Sequence, residues 1–304
     1  MTTAPPAEKA ARRPADGALA VLRAAPRPVR YVLAGVLVNQ LGAFVQSFLV
    51  LYLLHQGFTE QQGGIALGCY SVGAVAGSLA GGELTRRLGP RRTIVLSMFG
   101  SALLVVSISL VGRPSAFPLL LAVTVLAGLA AQTYRPAAGS LLSDLTPADR
   151  QVMVMSLFRI AMNTGGTLGP LLASWLLLID WNLLFWANGV AAACYGVIAL
   201  LLLPRTTAAG RPADVPQAGA EPTAGYRALL GDGRFVLYLT AMGFSALIYA
   251  QYFAVLPLKL TEDGHSTVLY SAVLTISGAM VVGCELFVTK YVQRWRAGTA
   301  GGVG

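Results

Sequence analysis

Gly81-Gly82-Glu83-Leu84-Thr85-Arg86-Arg87-Leu88-Gly89-Pro90-Arg91-Arg92 packs four arginines and the helix-breaking pair Gly89-Pro90 into one short stretch. About twenty residues of nearly uncharged sequence lie on each side, the length that crosses a bilayer as a helix. The stretch reads as a tight, strongly basic turn at a membrane face, too short to hold a domain. Outward from it, the chain divides into apolar spans at roughly 31–54, 63–85, 92–112, 117–143, 152–179, 182–203, 235–260 and 267–289. The fourth and fifth are long enough to tilt or to project beyond the hydrocarbon.

Composition agrees. Of 304 residues, 55% are hydrophobic and 12% charged, about half the charged fraction of a soluble domain. The net charge of +9 does not indicate a nucleic-acid partner, because the arginines are spaced between apolar runs rather than gathered on one basic face. Cys69, Cys194 and Cys284 fall inside apolar segments and read as small hydrophobes, not as a disulfide framework or metal site.

The expected organisation is a disordered cytoplasmic tail over 1–30, a six-helix transmembrane bundle over 31–203, a cytoplasmic linker over 204–234, two further helices over 235–289 and a cytoplasmic end over 290–304. No short apolar core with a cleavage site precedes the first span, so no removable signal peptide is expected. The linker is rich in Pro, Ala and Gly, and Tyr226-Arg227-Ala228-Leu229-Leu230 near its end suits a short interfacial helix. With the N-terminus in the cytoplasm, inside segments hold 18 of the 22 Lys and Arg. That asymmetry is the positive-inside pattern of a multi-pass protein of the cell membrane.

Gly73, Gly77 and Gly81, four residues apart, form a flat helix face that lets a neighbouring backbone come close. Gly81-Gly82-Glu83-Leu84 near the end of span two is echoed by Gly283-Cys284-Glu285-Leu286 near the end of span eight. Each is followed, at a short distance, by a threonine and a basic residue, which suggests a duplicated six-helix half.

Polar residues inside the spans are the candidates for function. Asn39, Gln40 and Gln46 in span one must face helix neighbours or a wet cavity, since amides at that depth lose their hydration. Span four carries Gln132, Tyr134 and Arg135, then Pro136 and Gly139. An arginine in a membrane span costs about 2.5–3.5 kcal/mol on insertion scales, so Arg135 is expected to pair or to face water. Span five carries Arg159, which either pairs with Asp144 or Asp149 or serves function, then Asn163, Gly165, Gly169 and Pro170. The glycine pair allows close packing, and Pro170 allows a kink. Tyr249, Gln251 and Tyr252 in span seven suit either packing or a cavity wall for mixed ligands. Glu285 near Lys290 suits a surface ion pair more than a proton carrier. No Gly-Lys phosphate loop, histidine cluster or Gly-x-Ser-x-Gly elbow occurs, so neither an enzyme nor a cofactor, nucleotide or metal site is expected.

These residues together resemble the major facilitator superfamily, in particular its bacterial multidrug-efflux-like members. Gly82 through Arg92, with Arg86, Arg87, Gly89, Arg91 and Arg92, is similar to the signature loop between helices two and three. Arg135-x-x-x-Gly139 is similar to the helix-four arginine motif, and Gly165-x-x-x-Gly169-Pro170 to a helix-five motif of antiporters. Asn39-Gln40-Leu41-Gly42 leading to Phe48-Leu49-Val50-Leu51-Tyr52-Leu53 matches the style of helix one.

The resemblance implies an all-helical membrane bundle that moves a small, amphipathic molecule by alternating access, with protons as the coupling ion and export as the direction. Asn39, Gln40, Gln46, Gln132, Tyr134, Arg135, Asn163, Tyr249, Gln251 and Tyr252 would then be substrate-facing, and the arginine loop part of an inner gate. Two departures stand out. Arg86 occupies the place of an aspartate that the family uses in a gate charge network, leaving Glu83, Asp144 or Asp149 to replace it. The family has twelve helices where eight are read here, which implies a truncated second half. A non-transporting remnant, or a scaffold requiring another chain, therefore stays open as the alternative.

Overall fold

The computed structural model describes residues 22–147 and 150–204, parts of 233–264, and a helix over 267–292. Tyr249, Gln251 and Tyr252 of span seven, the interfacial helix of the linker, Asp149 and the Glu285 side chain lie outside the described residues. So does the tail up to residue 21.

The main helices are α1 (Arg27–Leu41), α2 (Val45–His55), α3 (Glu60–Leu88), α4 (Pro90–Val111), α5 (Phe117–Leu145), α6 (Gln151–Leu177), α7 (Leu183–Leu202) and α8 (Thr267–Val292). No strand occurs among the described residues. Among the described residues, five helical segments, with α1 and α2 counted together, are long and apolar enough to cross a membrane. The chain is an integral membrane protein of all-helical type.

Local chemistry sets the helix ends. Thr59 caps α3 by accepting from the Gln62 amide at 3.3 Å, while the Gln62 side chain accepts from the Thr59 amide at 3.0 Å. This reciprocal box satisfies two of the donors that a helix start leaves unpaired. Both α3 and α5 run 29 residues, about 44 Å at 1.5 Å per residue, well beyond a hydrocarbon core of about 30 Å.

Three expectations need correction. The basic stretch is not a loop: α3 continues to Leu88, α4 starts at Pro90, and Gly89 alone makes the turn at φ +83°. Glycine tolerates that left-handed backbone, and proline suits the first helical position, where no amide hydrogen bond is lost. The Gly89 amide donates to the Thr85 carbonyl at 3.0 Å and the Thr93 amide to the Gly89 carbonyl at 3.2 Å, so helical bonding runs up to the turn on both sides.

Span one is not one helix either. It breaks at Gly42–Phe44 into α1 and α2, where a Cβ on Gly42 would stand 2.4 Å from Ala191 Cβ. Finally, the tail does not extend to residue 30, since α1 starts at Arg27 behind Pro26 and buries Val29 completely.

The glycine face of α3 packs as its spacing predicts. A Cβ on Gly73, Gly77 or Gly81 would lie 1.9, 2.1 or 2.4 Å from the carbonyl oxygens of Val125, Leu129 and Thr133 on α5. Thr133 Oγ1 donates to the Gly77 carbonyl at 3.2 Å, and Ser97 Oγ of α4 to that of Ala130 at 2.6 Å. These contacts hold α5 between α3 and α4.

Two apolar clusters occupy opposite ends of the bundle. One gathers Phe48, Leu49, Tyr52, Val105, Ile108, Leu120 and Phe185, joined by Tyr270 and Leu274 of α8. The other gathers Val29, Val32, Ile94, Met98, Tyr134, Leu141, Val154 and Tyr195. The polar residues of the spans fall between them.

Candidate functional site

Between the two clusters lies a cavity of about 630 Å³, within the range of small-molecule sites. α1 brings Asn39 and Gln40 to its wall, α2 Gln46, α5 Gln132 and Arg135, and α6 Asn163, Gly165, Gly169 and Pro170. These are residues that sequence reasoning selected, assembled here from four helices. Gly165 allows part of the assembly, because a Cβ there would meet Gln40 Cβ at 2.3 Å. α6 can therefore lie directly on α1 at the level of the amides.

Tyr134 is a correction. It is 1% exposed, sits in the second apolar cluster and does not line the cavity. Its hydroxyl lies 3.2 Å from Gln40 Oε1, to which it donates, and its ring stands edge-on to Tyr195 at 5.7 Å. Adjacent helix positions point about 100° apart, so with Arg135 directed to the cavity Tyr134 turns into the core. Its part is to orient Gln40.

Arg135 is half-buried at the cavity wall. Its Nε is buried without a hydrogen-bond partner, and the Tyr70 and Tyr134 phenols lie within the field of its guanidinium. Among the described residues lining the cavity, no carboxylate is present.

Sequence reasoning missed Asn188 of α7, which is 6% exposed and lines the same space. Its signal was available, an amide inside an apolar span, the pattern that singled out Asn39. Tyr70, Ser101 and Thr167 also reach the wall, but residues of these types are common in helices and carry no distinguishing pattern.

The arginine motif lies apart from the cavity. Glu83 holds Arg86 in a two-pronged pair at 2.9 and 2.6 Å and also bonds Arg87, all on one helix. The acid nearest to Arg86 is thus engaged within α3. Arg91 crosses to α7, where Nε donates to the Ala199 carbonyl at 3.3 Å and Nη2 to that of Leu200. Those carbonyls belong to a helix end that lacks intrahelical partners and carries partial negative charge, so a cation suits the position. Arg92 and Gly82 are exposed. Asp144 lies exposed near the end of α5, and Arg159 donates to Ser156 Oγ at 3.4 Å.

α8 packs against this assembly. Tyr270 donates its hydroxyl to the Ser47 carbonyl at 2.9 Å and stacks edge-on against Phe48 at 5.6 Å. Further along, a Cβ on Gly278 would lie 2.4 Å from Thr167 Oγ1 of α6. Leu274, Ser277 and Gly278 supply one side of the cavity.

Comparison with known proteins is consistent with this geometry. The family model of the Major Facilitator Superfamily matches residues 32–304. An uncharacterised MFS-type transporter, YqjV, of Bacillus subtilis strain 168 is 23% identical over 252 residues, covering 82% of this chain and 60% of that protein. The multidrug resistance protein MdtH of Aeromonas salmonicida strain A449 is 25% identical over 254 residues, covering 81% and 61%. The chain thus spans about 60% of the length of these curated relatives. Among solved structures, a D-xylose–proton symporter superposes with a TM-score of 0.54 at 15% identity, covering 91% of this chain and 69% of that one. The POT family transporter PepTSo superposes with a TM-score of 0.54 at 16% identity, covering 86% and 52%. At these identities the structural likeness speaks for the fold.

Proposed function

The chain belongs to the Major Facilitator Superfamily, a family of transporters rather than enzymes, and we propose that it carries a small amphipathic molecule out across the cell membrane by alternating access, in exchange for protons. The observation that carries the reading is the cavity itself, where Asn39, Gln40, Gln46, Gln132, Arg135 and Asn163 converge from four helices between two apolar clusters. Polar groups at that depth are expensive unless a neighbour, water or a ligand satisfies them. In this reading Arg135 binds or polarises the substrate, and the amides shape the wall around it.

The outward direction takes support from the name of the MdtH relatives, which are multidrug resistance proteins. The N-terminus lies in the cytoplasm, following the basic residues. In this reading the first bundle runs from Arg27 to residue 203, 204–234 is the cytoplasmic linker and 235–289 starts the second. The arginine end of the bundle is then the cytoplasmic one, and the Tyr270 end faces outward.

Purified protein in proteoliposomes with an imposed pH gradient tests the reading. We expect gradient-driven flux of an amphipathic dye, reduced about tenfold or more in Arg135→Ala, in line with removal of a charged hydrogen-bonding group. Absence of any gradient-driven flux for the unmutated chain would remove the transporter reading and leave a non-transporting scaffold.

A further inference from the structure

The cavity is polar, but its charge is one-sided. Arg135 is the one ionised side chain among the described residues that line it, and amides and hydroxyls make up the rest of the polar wall. Its Nε is buried without a hydrogen-bond partner, whereas buried polar groups are normally satisfied. A guanidinium carries positive charge, five donors and no acceptor. Beyond the neighbouring Tyr134 phenol, the group that complements it has to bring negative charge or strong acceptors. Asn39, Gln132 and Asn188 are neutral and can turn either a donor or an acceptor toward a ligand, so they do not oppose an anion. Phe44, Phe48 and Leu274 give the same cavity an apolar side.

We propose that the ligand of this cavity is a small amphipathic anion, whose carboxylate or similar oxyanion sits on the Arg135 guanidinium while its apolar body rests against Phe44, Phe48 and Leu274. A planar carboxylate matches the guanidinium fork with two parallel hydrogen bonds. A cationic ligand of the same size would meet an unshielded like charge in a poorly polarisable surrounding. The proposal rests on reading this cavity as the transport site and adds the charge of what it takes.

Three ligands of nearly equal shape separate the possibilities: 2-naphthoate, 2-naphthamide and 2-naphthylmethylammonium, titrated calorimetrically into the purified full chain in nanodiscs. We expect the carboxylate to bind about tenfold or more tightly than the amide, the difference a charged hydrogen bond makes, and the ammonium to bind most weakly. In Arg135→Gln the three should fall within about threefold of one another, while Arg135→Lys, which keeps the charge but loses the fork, should keep the order with a smaller spread. A thermal melt of each variant with no ligand confirms that it is folded. Equal or tighter binding of the ammonium, an anion preference that survives in Arg135→Gln, or no binding of any of the three would each overturn the proposal. Flux of the same ligands in proteoliposomes keeps the two readings apart. An Arg135-dependent anion preference without flux removes transport and keeps the ligand class. Flux that ignores ligand charge keeps transport and removes the ligand class.

Discussion

The two ends of the bundle are closed by different means. At the end marked by Arg91, the buried apolar cluster draws, among the described residues, only on those between Ala25 and Leu203, and Arg91 fastens α4 to the last carbonyls of α7. At the opposite end the cluster includes Tyr270 and Leu274 of α8, and there Tyr270 stands edge-on to Phe48 and donates to the Ser47 carbonyl. One end is thus a closure within the first six spans, and the other a closure between those spans and a helix beyond the linker. The first depends on backbones touching and on a capped helix end. The second depends on the Tyr270 side chain and on α8 lying close against α6, where a Cβ on Gly278 would come within 3.0 Å of the Thr167 backbone. In the proposed alternating access, the glycine-packed bundle is the stiff part and the Tyr270 contact the breakable one.

Disrupting the stiff part should have the largest effect. In Gly77→Val, a Cβ 2.1 Å from the Leu129 carbonyl has nowhere to go except by pushing α3 off α5. Overpacking of this kind costs about 1–3 kcal/mol and occasionally more, and we place this site at the upper end because the obstacle is backbone. A thermal melt in detergent should show a clearly lowered midpoint or loss of monodisperse protein, and a melt equal to the parent's would mean that the helices are not in contact as described.

Arg91→Ala comes next. It strips the cap from α7 without creating a clash, and hydrogen bonds to a charged group contribute about 1.5–3 kcal/mol, reduced here by partial exposure of Arg91. The midpoint should fall moderately, and Arg91→Lys should recover only part of it, because lysine is a point charge without the guanidinium fork. An unchanged midpoint in Arg91→Ala would show that the cap carries no weight.

The smallest effect on stability belongs to the breakable end. Tyr270→Phe deletes one hydrogen bond, about 0.5–1.5 kcal/mol, and keeps the ring against Phe48. Its signature should be access rather than melting. In a cysteine-free background, Gln46→Cys should react faster with a membrane-impermeant maleimide when Tyr270→Phe is also present. Equal rates would mean that this end is not held by the Tyr270 contact.

Much of this organisation was legible in the residues. Charge placed the spans and their turns, because unpaired charge and hydrocarbon do not mix. The glycine period of α3 announced a close helix partner, because only a missing side chain lets two backbones approach. Asn39, Gln132 and Arg135 stood out for the same reason, as groups whose hydration had to be replaced. What stayed hidden depended on direction and on neighbours far along the chain. Tyr134 and Arg135 are adjacent in sequence yet face core and cavity. Asn188 showed its significance only when α7 was seen beside the other amides. The Gly89 turn was overestimated as a loop, since arginines suit a solvated helix end as well as a loop, and Glu83 one turn back supports the helical choice.

By itself, then, the sequence determined that the chain is a bundle of membrane helices and which side chains had no comfortable place in lipid. Those properties are local: hydropathy, helix period, and the backbone limits of glycine and proline act within a turn or two. Only the tertiary structure decided that the amides and Arg135 share one cavity, that Arg91 caps a helix more than a hundred residues away, and that α8 joins the core at one end. These depend on how helix faces rotate and pack against one another, and that balance is struck over the whole bundle rather than within any one segment.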